Sequence, residues 1–198
     1  MRAVTYRVAV AVSGRGSNLI AMCDALAVDA SATVVLAIAD RPAIALDRAR
    51  ERGIATHLLA DFRDGAEWRR ILEASDADLL VLAGYLRLVP ADVVKAMAGR
   101  IINVHPALLP KHGGKGMHGA AVHRAVIAAG DTESGATVHL VDEVYDRGTI
   151  LAQGRVAVPA EASAESLAAA VLKVEHRLLP AAVRAAAVAG HPVPFEFA

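Results

Sequence analysis

Short apolar runs alternate with helix-patterned segments along most of this chain, and that alternation restricts the fold more than any other feature. Residues 6–12, 34–39, 55–59 and 79–83 are valine-, leucine- and alanine-rich runs too short for buried helices, and they read as strands. Between them, 43–52, 66–73 and 91–98 carry helical periodicity, and another helix opens at Leu19. Strand and helix in repeated succession imply parallel strands joined by right-handed crossovers. A further strand ends at His105, a helix covers 120–129, and 135–141 with 150–158 form a hairpin-like pair at the far edge of the sheet. The expected fold is α/β: a single-domain, doubly wound, Rossmann-like, mostly parallel sheet with an antiparallel edge. Residues 163–188 continue as an alanine-rich helix that Pro180 interrupts, and the tail from His191 is irregular.

No proline-rich or low-complexity linker divides the 198 residues, so one domain spanning 1–198 is expected. Lys plus Arg (21) balance Asp plus Glu (21), which gives no basic surface for nucleic acid. The start, Met1 to Arg7, has no apolar signal core and no run approaches the roughly 18 residues that cross a bilayer, so a cytoplasmic protein without membrane attachment is expected. Cys23 is the single cysteine and reads as a small core residue of an amphipathic helix.

The strand ending at His105 carries the chemistry. In Arg100 to Pro110 an apolar run delivers Asn103 and His105 and stops at Pro106. Residues two apart on a strand share a face, and ligands of open α/β sheets bind beyond the carboxyl ends of strands. A neutral donor beside a titratable ring there marks a reaction centre; alternatively the two groups only satisfy nearby backbone. The acidic connection 142–148 offers Asp146, which beside His105 would raise the imidazole pKa and orient the ring; otherwise it is a solvated loop.

After the first strand, Ser13-Gly14-Arg15-Gly16-Ser17-Asn18 is a glycine loop opening a helix, a junction suited to phosphate, with Arg15 as reinforcement, or simply a tight turn. Leu19 occupies the third-glycine position of a dinucleotide fingerprint and the lysine of a triphosphate loop is missing, so a monophosphate is the favoured anion. Arg63 and Arg87 lie in loops beyond strand ends and fit either a carboxylate or ring, or solvent. The segment 111–119 holds four glycines and reads as a mobile lid. His118 and His123 flank its end, but no carboxylate stands at ligand spacing, so no metal is expected. Glu175 and His176 on the last helix have no assigned partner and fit a solvent face equally well.

Several unlinked segments together resemble one family, the folate-dependent glycinamide ribonucleotide formyltransferases of purine biosynthesis. The likeness rests on Ser13 to Leu19, on Leu82-Ala83-Gly84-Tyr85-Leu86-Arg87, on Ile102-Asn103-Val104-His105-Pro106-Ala107-Leu108-Leu109-Pro110 and on Gly135-Ala136-Thr137-Val138-His139, in the family's order and approximate spacing; 142–148 and Val174-Glu175-His176 extend it. The resemblance implies transfer of the formyl group of 10-formyltetrahydrofolate to the amine of glycinamide ribonucleotide. It implies a catalytic trio of Asn103, His105 and Asp146, with Gly16, Ser17 and Asn18 on the substrate phosphate and Glu175 on the glycinamide substrate. It also implies a folate pocket shaped by Arg63, Arg87, Leu88 and the backbone from Val141 through Asp142 to Asp146, with His139 in support. Small-molecule substrates, a monomer or homodimer, and no metal complete the expectation. Two departures are Arg15, where a small or amide residue is common, and a longer, glycine-rich 110–123 segment. Formyltetrahydrofolate hydrolases and methionyl-tRNA formyltransferases share the trio but usually carry an extra domain, for which this chain leaves no room. A nucleotide-binding protein using only the glycine loop is the alternative of another class.

Overall fold

The computed structural model describes residues 5–197; Met1 to Val4, which include most of the segment read for a signal core, and Ala198 lie outside the described residues. One seven-stranded sheet runs in the order β3-β2-β1-β4-β5-β6-β7. Strands β1 (Tyr6–Val12), β2 (Ala32–Ala39), β3 (Ala55–Leu58), β4 (Leu79–Leu82) and β5 (Ile101–His105) are parallel. Strands β6 (Glu133–Leu140) and β7 (Ile150–Ala157) run antiparallel, β6 against β5 and β7 against β6. This is the expected α/β architecture. Because β1 lies between β2 and β4, the winding reverses there, and the crevice of such a reversal opens at the carboxyl ends of the strands.

Each face of the sheet has its own core. Helices α1 (Ser17–Leu26), α2 (Ile44–Arg50), α5 (Ala120–Ala128) and α6 (Ala164–Ala189) cover one face through Leu19, Met22, Leu46, Val126 and Leu178. On the other face α3 (Gly65–Ser75) and α4 (Ala91–Ala96) contribute Trp68, Ile71, Val93 and Val94. Asp64 caps α3 by accepting from the amides of Ala66 and Glu67, and Ser163 with Ser166 forms a capping box on α6.

Two expectations need correction. Pro180 does not interrupt α6, which is continuous from Ala164 to Ala189. A proline removes one backbone donor and bends a helix, but buried Leu178, Leu179, Ala182 and Val183 continue the apolar stripe across it, and that packing outweighs the loss. Helix α1 begins at Ser17 rather than Leu19, because Gly16 takes the left-handed conformation (φ 71°) and sets the turn two residues earlier. The irregular tail is anchored: the amide of Phe195 donates to the Leu151 carbonyl, and the Phe197 ring lies beneath the Arg177 guanidinium.

Candidate active site

Alternation along β5 decides which side chains meet. Ile102 and Val104 enter the core beneath α1 and α6, and Ile101 enters the core beneath α4. Asn103 and His105 share the face of Ile101 and emerge where helix cover ends. In the antiparallel register Asn103 opposes His139 and His105 opposes Thr137, and opposed residues share a face. Thr137 is committed to structure, donating to the Ala107 carbonyl at 2.6 Å and accepting from the Leu109 amide at 3.0 Å. A register shift between Val138 and His139 in the β6–β7 pairing marks a bulge beside the site.

Hydrogen-bond direction then fixes the roles of the nitrogens. His105 Nε2 lies 2.8 Å from the His112 carbonyl, which only accepts, so Nε2 carries a proton and Nδ1 faces Asp146 Oδ2 at 3.5 Å. His139 Nδ1 donates to the Leu140 carbonyl at 2.8 Å. Its Nε2 meets Asn103 Nδ2 at 3.1 Å and Asp146 Oδ1 at 3.5 Å. Neutral His139 accepts from Asn103, and protonated His139 donates to Asp146. Asp146 Oδ2 also accepts the Gly114 amide at 2.8 Å, which ties the glycine-rich segment to the site. Asp146 is left-handed (φ 54°), and a β-carbon on Gly113 would lie 2.5 Å from Leu109 Cδ2 and 3.2 Å from Asp146 Cβ. A side chain at position 113 would have to displace the end of Leu109 and press on Asp146.

Burial alters the expected charges. Desolvation pushes His105 below the ordinary histidine pKa and exceeds the lift from Asp146 and from the His112 carbonyl, while His139 and His112 push it further down. The expectation of a raised imidazole pKa is therefore corrected: the ring is 4% exposed and Asp146 stands 3.5 Å away, beyond direct hydrogen bonding. Asp146 itself sits below its ordinary value; burial raises it, but the His139 ring, the Gly114 amide and the charge of His105 outweigh that.

Across the cavity, Gly16 precedes α1 without a side-chain cap, leaving the first helical amides pointing outward. A β-carbon at Gly16 would stand 2.6 Å from Ala45 Cβ, on backbone with φ 71°. We expect Gly16→Ala to lower stability by about 1–3 kcal/mol in urea titrations; an unchanged midpoint would show that the loop relaxes freely. Arg15 is exposed, and its carbonyl accepts from Arg48 at 3.1 Å.

Glu175 does not face solvent. It is buried and accepts from Asn18 Nδ2 at 2.7 Å, linking α6 to α1, while Asn18 Oδ1 is buried without a hydrogen-bond partner among the described residues. Burial raises the Glu175 pKa more than Asn18 lowers it. A raised folded-state pKa gives stability that is present below the unfolded value of 4.5 and lost as pH rises through the folded value. Glu175→Gln should therefore gain in Tm over the parent as pH rises from 4.5 to 8. A pH-independent difference in paired melting curves would contradict a buried, titrating carboxyl.

These groups line one cavity of about 1080 Å³. Asn18, Glu175, Asn103, His105, His139 and Asp146 all border it, as do Arg63, Arg87, Leu88, Val141 and Asp142; Gly16 and Ser17 lie just outside its lining. Arg63 and Arg87 each stand over the Phe62 ring at 4.8 Å, and Arg87 approaches Asp40, whose side chain is 1% exposed, at 3.4 Å. Sequence reading gave no individual role to Phe62, Tyr85 or Val94, which line the cavity, and placed Gly114 and His112 only within the glycine-rich 111–119 segment; for Phe62 the available signal was an aromatic next to a loop arginine. His118 borders the cavity, whereas His123 is buried outside the lining. Among the described residues no group of three His, Cys, Asp or Glu side chains is arranged to hold a metal, and no helix is long and apolar enough to cross a membrane.

Residues 6–183 match the family model described as formyl transferase. The trifunctional purine biosynthetic protein adenosine-3 of Drosophila melanogaster is 40% identical over 187 residues, covering 89% of this chain but 14% of that protein. Phosphoribosylglycinamide formyltransferase of Escherichia coli K12 is 38% identical over 181 residues, 87% of this chain and 83% of that one. The crystal structure of phosphoribosylglycinamide formyltransferase from Anaplasma phagocytophilum superposes with a TM-score of 0.85 at 34% identity, covering 92% of this chain and 87% of that one. Taken with the sheet order and the grouping at the end of β5, these likenesses establish that the chain belongs to the formyl transferase family.

Proposed function

We propose that this chain transfers the formyl group of 10-formyltetrahydrofolate to the amine of glycinamide ribonucleotide, N1-(5-phospho-D-ribosyl)glycinamide, a step of purine (IMP) synthesis. The observation that carries this reading is the convergence of Asn103, His105 and Asp146 on one cavity that reaches the first turn of α1 at Asn18 and is continuous with an aromatic and cationic cleft. The amides of Gly16, Ser17 and Asn18 suit the 5′-phosphate, and Glu175 suits the polar remainder of the ribonucleotide. The apolar walls, the Phe62 ring and the Arg63 and Arg87 cations suit a flat heteroaromatic donor with an acidic tail, alongside Leu88, Val141 and Asp142.

The residues divide the work as follows. The substrate amine attacks the formyl carbon, and Asn103 donates its free N–H to the oxygen as negative charge develops. Neutral His105 accepts a proton at Nδ1, the only ring nitrogen left open, and ionised Asp146 stabilises the resulting imidazolium. That imidazolium donates to the oxyanion and returns the proton, directly or through water, to the departing folate nitrogen. This scheme starts with an uncharged His105, in keeping with burial outweighing the lift that Asp146 was expected to give. It needs no metal.

The test is a two-substrate assay following release of the deformylated folate. Release that requires glycinamide ribonucleotide supports the proposal. Release without ribonucleotide assigns a hydrolase, and ribonucleotide-induced thermal stabilisation without any release assigns a binding protein.

A further inference from the structure

His105 depends on a main-chain carbonyl that is itself held by side chains outside the cavity. His112 Nε2 lies 2.6 Å from Asp131 Oδ2, and Lys111 Nζ lies 2.8 Å from Asp131 Oδ1. Asp131 follows α5, and its own amide is bonded to the Val126 carbonyl, so the carboxylate stands on a fixed turn. Two consecutive residues of the segment after Pro110 are thereby fastened to it. Between those fastenings His112 adopts the left-handed conformation (φ 54°), which a residue with a β-carbon rarely enters. That turn directs its carbonyl at His105 Nε2, 2.8 Å away. Both partners are largely shielded, with the His112 side chain 15% exposed and Asp131 17%. They border a separate crevice of about 360 Å³ rather than the large cavity, so neither is placed to touch a substrate there.

We propose that Asp131 and His112 are positioning residues that select the tautomer of His105 by holding the His112 carbonyl against Nε2. The proposal rests on the reading of His105 as the proton-transfer group. A neutral imidazole carries one proton, on Nδ1 or on Nε2. With the carbonyl in place the proton stays on Nε2, and Nδ1 offers its lone pair toward Asp146 and the cavity. Without the carbonyl, the negative charge of Asp146, 3.5 Å from Nδ1, favours the other tautomer. Nδ1 would then carry the proton and have no lone pair for a proton arriving from substrate. The other ionisable groups around His105 are His139, His112 and His123, and among the described residues the recorded hydrogen-bond partner of Nε2 is the His112 carbonyl.

The experiment uses the full chain with ¹⁵N-labelled histidine. Long-range ¹H–¹⁵N spectra at neutral pH report the tautomer of each ring, and the His105 signals are assigned by their disappearance in His105→Asn. The parent should show His105 as the Nε2–H form. Asp131→Ala and His112→Phe should each move it toward Nδ1–H, and each should lower kcat about 10- to 100-fold with KM for either substrate changed less than about twofold. Asp131→Asn, which keeps an acceptor for the His112 ring, should restore most of the Nε2–H signature. His112→Phe conserves ring volume and serves where Asp131→Ala fails to fold. Retention of the Nε2–H signature in both folded variants overturns the proposal, whatever their rates. A parent chain that shows the Nε2–H signature yet transfers no formyl group refutes the proposed function while leaving the tautomer selection standing.

Discussion

Asn103→Ala is expected to lower kcat for formyl transfer by about 10²- to 10³-fold, the usual consequence of removing one oxyanion donor. The carboxamide lies on β5 with one N–H turned to His139 Nε2 at 3.1 Å, so its orientation is set before substrate arrives. A donor prepared in this way contributes chiefly when charge develops on the formyl oxygen, so KM for both substrates should change far less than kcat. Asn103→Asp offers a sharper contrast: size is conserved, but an anion replaces the donor and the rate should fall at least as far. Steady-state rates of the two variants, with circular dichroism to confirm folding, decide the matter. A rate within a few-fold of the parent for Asn103→Ala would remove this residue from the chemistry.

Asp146→Asn should be at least as damaging, with kcat down about 10²- to 10⁴-fold, the range for loss of assisted proton transfer. Asparagine can still accept the Gly114 amide through its carbonyl oxygen, so the 113–116 backbone should stay in place and the loss should come from charge. Without the carboxylate, burial acts on His105 unopposed by its principal electrostatic support, and the ring becomes a weaker base. Stability offers an independent check. The pKa of Asp146 is lowered on folding, so its carboxylate contributes stability above the unfolded value of 3.8, and that contribution disappears as pH falls through the folded value. Asp146→Asn should therefore unfold less steeply than the parent below about pH 4. A variant with parental turnover would place the proton path elsewhere.

The fold was legible because its information is local and repetitive. Apolar runs of strand length with helix-patterned segments between them admit few arrangements, and the period of two on β5 was enough to put Asn103 and His105 on one face. Asp146 was legible only as a candidate, since its distance from His105 depends on how β6 and β7 fold back. What sequence missed follows from burial and main-chain geometry. The direction of the His105 shift depends on how much water the fold removes, and no residue pattern states that. The His112 carbonyl leaves no trace in side-chain chemistry, since any residue would supply the same oxygen. Pro180 was misread because a local rule was applied to a helix whose packing overrides it, and the burial of Glu175 was not legible in the residue pattern because its partner, Asn18, is 157 positions away.

The antiparallel register of β5 and β6 has a consequence for how the molecule can fail. Opposed pairs place Asn103 against His139 and His105 against Thr137, and the same ladder buries Val104 and Val138 on the reverse side. A slip of one residue in β6 would turn both histidine and threonine away from their partners and present apolar side chains instead, Val138 with Ala136 or Leu140 with Val138. Much of the backbone bonding could survive such an error, so refolded material could be helical, compact and inert. Specific activity per unit of folded protein, rather than spectroscopic recovery, is then the measure of whether the two strands have come together in step.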